Sequence, residues 1–193
     1  MAPFLLIHCI HDIMDWDAGV LMWIRDNLSC GFLDAVMPVI SRICTADIIW
    51  FIAALLMIRD RRTRKAGTVL LLALVISILI ANIILKPAVG RIRPYDVLDV
   101  PIIVSPSSEY SFPSGHTTGV TVMASVLLLS GYRKAGYGMS VFAVMVMFSR
   151  MYLFMHYPTD IMGGILAGIA SVAFAFAVLE IYEIGRSEGN GVR

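Results

Sequence analysis

Residues 66–85 read AGTVLLLALVISILIANIIL, twenty residues without one charged side chain. As a helix rising ~1.5 Å per residue, such a run covers the ~30 Å hydrocarbon core of a bilayer. No other feature restricts the fold as strongly. A backbone inside lipid must satisfy its own N–H and C=O groups, so the span is helical and its neighbours must pack as helices. The rest of the chain agrees. Hydrophobic residues make up 59% and charged residues 15% of the 193, against ~45–50% and ~25% in soluble domains. This reads as one integral membrane domain.

Other segments fit the same solvent. Residues 44–58 form a first span, extended backwards through FLDAVMPVISRI, with Pro38 and Arg42 placed to bend that extension. After 66–85 come 115–131, 135–155 and 158–182, giving five. Residues 1–30 differ, because Asp12, Asp15, Asp17, Arg25 and Asp26 interrupt the apolar residues. There Phe4, Leu5, Trp16, Leu21 and Trp23 suit an amphipathic helix lying in the interface, with a distorted sixth span as the alternative. The expected fold class is therefore all-α, an integral membrane helical bundle of five to six transmembrane helices with an N-terminal interfacial helix. The expected organisation is 1–30 interfacial segment, 31–183 membrane-embedded domain and 184–193 cytoplasmic tail. The N-terminus has no basic region ahead of its apolar run, so no signal peptide is expected. Cys9, Cys30 and Cys44 have no CxxC spacing and read as unpaired.

Basic residues orient the bundle. RDRRTRK (59–65), Arg133-Lys134 and Arg186 with Arg193 hold nine of the fifteen Lys and Arg residues. Five spans put all three segments on one side, which the positive-inside rule makes cytoplasmic. The connections at 86–114 and 152–158 then face outward, in a multi-pass protein of the cell membrane.

Those outer connections hold unusual chemistry. KPAVGRIRPYD sets Lys86 and Arg93 seven residues apart near the membrane face, a point charge and a planar fork suited to an anion; snorkelling to lipid headgroups is the plainer reading. SFPSGHTTG places Ser114, Gly115 and His116 at a helix start, with Pro113 in its first turn. Free N–H groups there bind phosphate, and His116 can move a proton near neutral pH; an ordinary capped helix is the alternative. SRMYLFMHYPTD brings Arg150, His156 and Asp160 together. Pro158 opens a helix, so Asp160 falls in its first turn and can reach back to His156, orienting one ring nitrogen and leaving the other free. An Arg150–Asp160 ion pair beside a structural histidine would explain the same residues. Together the three segments supply cations, helix-end amides, a free histidine and a carboxylate-paired histidine on one predicted face. Ser41-Arg42 begins a similar run but lacks the histidine, and reads as a decoy.

Lys86–six residues–Arg93-Pro94, then Pro113-Ser114-Gly115-His116, then Ser149-Arg150–five residues–His156–three residues–Asp160 resemble the three-part signature of the type 2 phosphatidic acid phosphatase superfamily. The resemblance covers about residues 44–182. It implies a helical membrane phosphatase that hydrolyses lipid phosphates or pyrophosphates at the outer face without a metal or other cofactor. It further implies that His156 is the nucleophile and forms a phosphohistidine, that Asp160 orients it, and that His116 protonates the leaving oxygen and later activates water. Lys86, Arg93, Arg150, Ser114 and Gly115 are implied to hold the phosphoryl oxygens. The expected partners are a lipid phosphate substrate and membrane lipids, with no nucleic acid. Undecaprenyl pyrophosphate is the first substrate to test, with phosphatidylglycerol phosphate and phosphatidic acid behind it. A lipid-binding protein with a decayed site needs the cations but not two placed histidines, and a soluble haloperoxidase-like protein does not need five apolar spans. Gly164 and Gly168 form a GxxxG that suits close helix packing and leaves a homodimer open.

Overall fold

In the computed structural model, helix α7 (Gly115–Leu129) is the axis around which the other elements are arranged. Its residues Thr117–Val122, Ala124, Val126 and Leu127 are buried. A helix apolar on all sides belongs in an interior, and α4 (Arg64–Ser77), α8 (Arg133–Tyr152) and α9 (Pro158–Gly191) enclose it. The remaining elements are α1 (Ala2–Leu28), α2 (Gly31–Ile43), α3 (Ile48–Arg59) and two short turns, α5 (Lys86–Val89) and α6 (Pro94–Val97). The structure describes residues 2–43, 48–98, 100 and 102–191, and only the backbone of 2–12 and 185–191.

The expected spans appear as helices, with three differences. Arg64–Val97 and Pro158–Ile184 are long and apolar enough to cross a membrane. The expected first span is two helices: α2 and α3 incline at 49°, and only taken together are they long and apolar enough to cross. Pro38 lies inside α2, not at the break, and residues 44–47, with Cys44, fall outside the described residues. α7 is apolar but, at fifteen residues, only ~22 Å long. It can be short because protein, not lipid, surrounds it.

The second difference is the end of α4. After Ser77 the chain continues as a π-helix, Ile78–Leu85, which carries Asn82 and leads into Lys86. Such wide turns occur frequently at functional sites. The third is α1. Asp17, Leu21 and Ile24 recur at helical spacing and are buried, facing α8 and α9. Trp16 and Trp23, expected on one face with Leu21, are more than half exposed on the opposite side. The side chains of Phe4 and Leu5 lie outside the described residues. α1 thus docks on the bundle through a polar-centred stripe and turns its tryptophans outward.

Packing joins the motif-bearing helices. A Cβ on Gly164 would stand 2.8 Å from the Ser114 carbonyl, and one on Gly168 2.9 Å from Thr121 Cβ. The GxxxG therefore packs α9 against α7 inside the chain. At the far end of the bundle the Tyr132 hydroxyl donates to the Arg62 carbonyl at 2.8 Å, and Lys65 pairs with Glu183 at 2.9 Å. Those contacts gather the basic segments at one end. The segments 86–93, 111–116 and 150–160 meet at the other.

Candidate active site

α9 starts at Pro158, as its fixed φ favours, and Asp160 sits in the first turn. Its Oδ2 accepts the Tyr157 N–H at 2.9 Å, closing the helix start in the manner of a capping box. Ahead of it, α8 ends at Tyr152 and the chain reverses through Phe154, at φ 54°. A left-handed phenylalanine costs on the order of 1–3 kcal/mol. The turn it permits lets the N–H groups of Met155 and His156 both reach the Arg150 carbonyl, at 3.0 and 3.3 Å. Arg150 and His156 are thereby held side by side.

His156 is buried, with its Nδ1 2.7 Å from the Ser111 carbonyl oxygen. A carbonyl only accepts, so Nδ1 carries the proton and Nε2 the lone pair. Nε2 faces Arg93 Nη1 at 3.3 Å. The expected His156–Asp160 relation is looser than a direct hydrogen bond: Asp160 Oδ2 is 3.7 Å from Nδ1, and the Ser111 hydroxyl donates to that oxygen at 2.5 Å. The alternative ion pair between Arg150 and Asp160 is not formed. Asp160 pairs with Arg91 at 2.8 Å, and Arg150 donates to the Ser41 hydroxyl at 2.5 Å. Burial holds the His156 pKa well below its ordinary 6.5, to about 3, against the opposing pull of Asp160. The ring is a neutral base with its lone pair aimed outward.

Helix α7 supplies the other histidine. Ser114 is its N-cap, and its Oγ accepts from Thr117 N and from the Thr117 hydroxyl. Pro113, expected in the first turn, precedes the cap and follows a cis peptide bond. The Ser114 N–H donates to the Asp160 carbonyl at 3.1 Å, tying the second motif to the third. Ser114 is fully buried by these bonds. Gly115 and His116 instead line a cavity of about 450 Å³ with Asn82, Lys86, Arg93, Arg150 and His156. His116 Nε2 and Asn82 Oδ1 are buried there without a hydrogen-bond partner among the described residues. Buried polar atoms are seldom left so, and both lie where a ligand would satisfy them.

The cations are differently committed. Lys86 Nζ is held by the Glu109 carboxylate, and that bond keeps the Glu109 pKa below its ordinary value. The Arg93 guanidinium spans the Glu109 and Met155 carbonyls at 2.8 and 2.9 Å, with His156, Ser107 and Tyr110 at 3.3–3.5 Å. It builds the cavity wall while facing the His156 lone pair. The Tyr95 hydroxyl exchanges hydrogen bonds with the Ser107 backbone at 2.8 and 2.9 Å, fastening that loop.

Seven of the eight expected residues thus meet: Lys86, Arg93, Gly115, His116, Arg150 and His156 on the cavity, with Asp160 behind His156. Ser114 stands apart, as a cap. Ser41-Arg42 is not the third motif, yet both residues reach the cavity. Ser41 carries Arg150, and Arg42 lines the cavity. Sequence reasoning also missed Asn82, Arg91, Glu109 and Ser111. A polar residue one helical turn before Lys86, in an otherwise apolar run, was the available signal for Asn82.

The profile of the PAP2 superfamily matches residues 66–182. An undecaprenyl-diphosphatase of Sulfolobus acidocaldarius is 31% identical over 123 residues, 63% of this chain and 59% of that protein. The undecaprenyl-diphosphatase BcrC of Bacillus subtilis is 29% identical over 148 residues, 75% of this chain and 73% of its own length. A transmembrane PAP2-type phosphatidylglycerolphosphate phosphatase from Bacillus subtilis has a crystal structure that superposes with TM-score 0.71 at 27% identity, over 92% of both chains. The match thus spans about three fifths of the archaeal relative and nearly all of the solved structure. With the family profile covering more than half of the chain, and the helical bundle shared with a solved member, this chain belongs to the PAP2 superfamily.

Proposed function

We propose that the protein is an integral membrane phosphatase that hydrolyses a lipid diphosphate, undecaprenyl diphosphate first among candidates, through a phosphohistidine at His156. Nε2 of neutral His156 attacks phosphorus, and the bond to the leaving oxygen breaks as the P–N bond forms. Nδ1–H stays on the Ser111 carbonyl, and the Asp160 charge stabilises the imidazolium that results. His116, protonated when the phosphate anion binds beside it, gives that proton to the leaving oxygen, then takes one from the water that hydrolyses the P–N bond. Lys86, Arg150 and the Gly115 end of α7 hold the phosphoryl oxygens, with Arg93 beside the attacking nitrogen. Ser114 acts by fixing that helix end. The relatives named for undecaprenyl diphosphate support the substrate class.

The observation that carries a diphosphate is Arg42. It is an exposed guanidinium on the wall of the same cavity, with no hydrogen bond or ion pair among the described residues. One phosphoryl group is already served by Lys86, Arg150 and the helix end. A further cation suits a second phosphate, the leaving one. The test is phosphate release by purified protein from undecaprenyl diphosphate, phosphatidylglycerol phosphate and phosphatidic acid, with EDTA present. Arg42→Gln should lower kcat/KM for the diphosphate more than for the monophosphates. An equal loss on all three would remove the diphosphate assignment, and no release from any would remove the phosphatase reading.

The cavity faces the extracytoplasmic side of the cell membrane, because the basic segments gather at the opposite end. Cysteines placed at Ser108 and Arg61 in a cysteine-free background test this with an impermeant thiol reagent on intact cells. Labelling at Arg61→Cys but not Ser108→Cys would invert the orientation.

A further inference from the structure

Asp17 lies on α1, outside residues 66–182, and its side chain has no solvent exposure. An unpaired carboxylate so placed would be strongly unfavourable, but Asp17 is bound by Arg91 and Thr159, the residues beside Asp160. Its Oδ1 accepts the Thr159 N–H at 3.0 Å, and its Oδ2 accepts from Arg91 Nη2 at 2.6 Å and from the Thr159 hydroxyl. Arg91 gives its other fork nitrogen to Asp160 Oδ1 at 2.8 Å and to Thr159 Oγ1 at 2.6 Å. The guanidinium is fixed over the Tyr157 ring, 4.0 Å from its centroid. Asp160 is thus gripped on both oxygens, by Arg91 on one and by Ser111 and the Tyr157 N–H on the other.

We infer that Asp17 is a positioning residue for the His156 reaction, acting through Arg91 on Asp160, so that the N-terminal helix completes the active site. The inference rests on His156 being the nucleophile.

Two physical effects follow from the geometry. First, Arg91 has a carboxylate on each end of its fork. Without Asp17 one end is unpaired, and the guanidinium keeps only its Nη1 bonds to Asp160 and Thr159, so its hold on Asp160 Oδ1 loosens. Second, Arg91 alone would cancel the charge of Asp160. Asp17, Arg91 and Asp160 together carry one net negative charge, and that charge faces the imidazolium formed when His156 is phosphorylated. A lone Arg91–Asp160 pair would present none. Simple docking of α1 predicts neither effect, because any bond that held the helix would serve.

The test compares the wild type with Asp17→Asn and Asp17→Glu in detergent, reading three quantities: the single-turnover rate of phosphoenzyme formation, the affinity for vanadate, and Tm. Outer partners of oriented histidines at metal sites are worth roughly 10–100-fold, and the same range is expected here. Asp17→Asn should slow phosphoenzyme formation by that factor, with vanadate affinity and Tm near wild type, and Asp17→Glu should recover part of the rate. An unchanged rate in Asp17→Asn overturns the inference. So does a loss of rate, vanadate binding and Tm in proportion, which would make Asp17 a docking residue only. Should Asp17→Asn fail to fold, Arg91→Lys replaces it, keeping the charge between the carboxylates but not the two-ended fork. A full rate in Arg91→Lys overturns the inference, and a 10–100-fold loss with vanadate affinity intact supports it. A wild type that forms no phosphoenzyme would instead remove the nucleophile assignment, a separate outcome.

Discussion

His156 and Asp160 communicate across a gap that Ser111 fills. The carboxylate oxygen is 3.7 Å from Nδ1, the Ser111 carbonyl takes the Nδ1 proton at 2.7 Å, and the Ser111 hydroxyl grips the carboxylate at 2.5 Å. One residue thus offers the ring its backbone and the carboxylate its side chain. Orientation of the imidazole comes from the main chain, while Asp160 supplies charge.

That division is measurable. Asp160→Asn removes the charge and should slow phosphoenzyme formation by up to ~10⁴-fold, as in other His–Asp pairs. Ser111→Ala keeps the carbonyl and should lose only about two- to tenfold, the worth of one ordinary hydrogen bond. Rapid-quench counting of phosphoenzyme would reject the division if Ser111→Ala were as slow as Asp160→Asn.

The protonation state of His156 sets a second expectation. Its folded pKa lies near 3 and its ordinary value at 6.5. Between these values the unfolded chain binds a proton that the folded protein does not. Stability from this group is therefore full above pH 6.5 and falls as the pH drops toward 3. In the same window the nucleophile stays unprotonated. ¹⁵N spectra of histidine-labelled protein should show His156 neutral at pH 5 in the absence of substrate. An imidazolium signal from His156 at that pH would contradict the buried environment.

Glu109 pairs with Lys86 at the cavity wall. Its carboxylate is a competitor for the same ammonium that a phosphoryl oxygen needs, and 62% of that side chain is exposed, free to swing away. Glu109→Gln should therefore tighten vanadate binding several-fold and lower KM, with kcat little changed. Weaker binding in the variant would mean that Glu109 organises Lys86 for substrate instead of competing with it.

How much of this could be read from the sequence depended on the range of the interaction. The span at 66–85 and the motif spacings are local patterns, so the gathering of His116 and His156 on one face was legible in the sequence. The start of α9 at Pro158 was legible too, because proline's geometry is its own. What failed was long-range or conformational. Ser114 was expected on the phosphate, yet its N–H is taken by the Asp160 carbonyl, a contact across 46 residues. Asp17 looked like an interruption of an interfacial helix because its partners are Arg91 and Thr159, 74 and 142 positions away. Arg42 was dismissed for lacking a histidine downstream, although a fold can bring a cation to a site without any motif. The π-helix at 78–85 left no signature in an apolar run that suits an α-helix equally well.

Close packing behind the site gives a further expectation. Gly164 meets the Ser114 carbonyl at a distance that leaves no room for a methyl group. Gly164→Ala should push α9 from α7, costing about 1–3 kcal/mol of stability as overpacking does. It should also loosen the Ser114–Asp160 backbone bond, so activity and Tm fall together. A thermal melt unchanged within error, with full activity, would show that the helices can separate freely there.

The last expectation concerns His116, whose buried Nε2 is unpartnered at the cavity. A general acid matters most when the leaving oxygen is basic. The alkoxide expelled from phosphatidic acid needs a proton far more than the phosphate expelled from a diphosphate, or the nitrophenolate from p-nitrophenyl phosphate. His116→Ala should therefore slow phosphoenzyme formation most with phosphatidic acid, less with undecaprenyl diphosphate and least with the nitrophenyl ester. Single-turnover rates on the three substrates, wild type beside variant, give the comparison directly. If the losses are equal, His116 is not protonating the leaving group. Its unpartnered nitrogen would then serve to bind the phosphoryl group or to activate water in the second step, and hydrolysis of a preformed phosphoenzyme separates those two roles, because only the second slows that step.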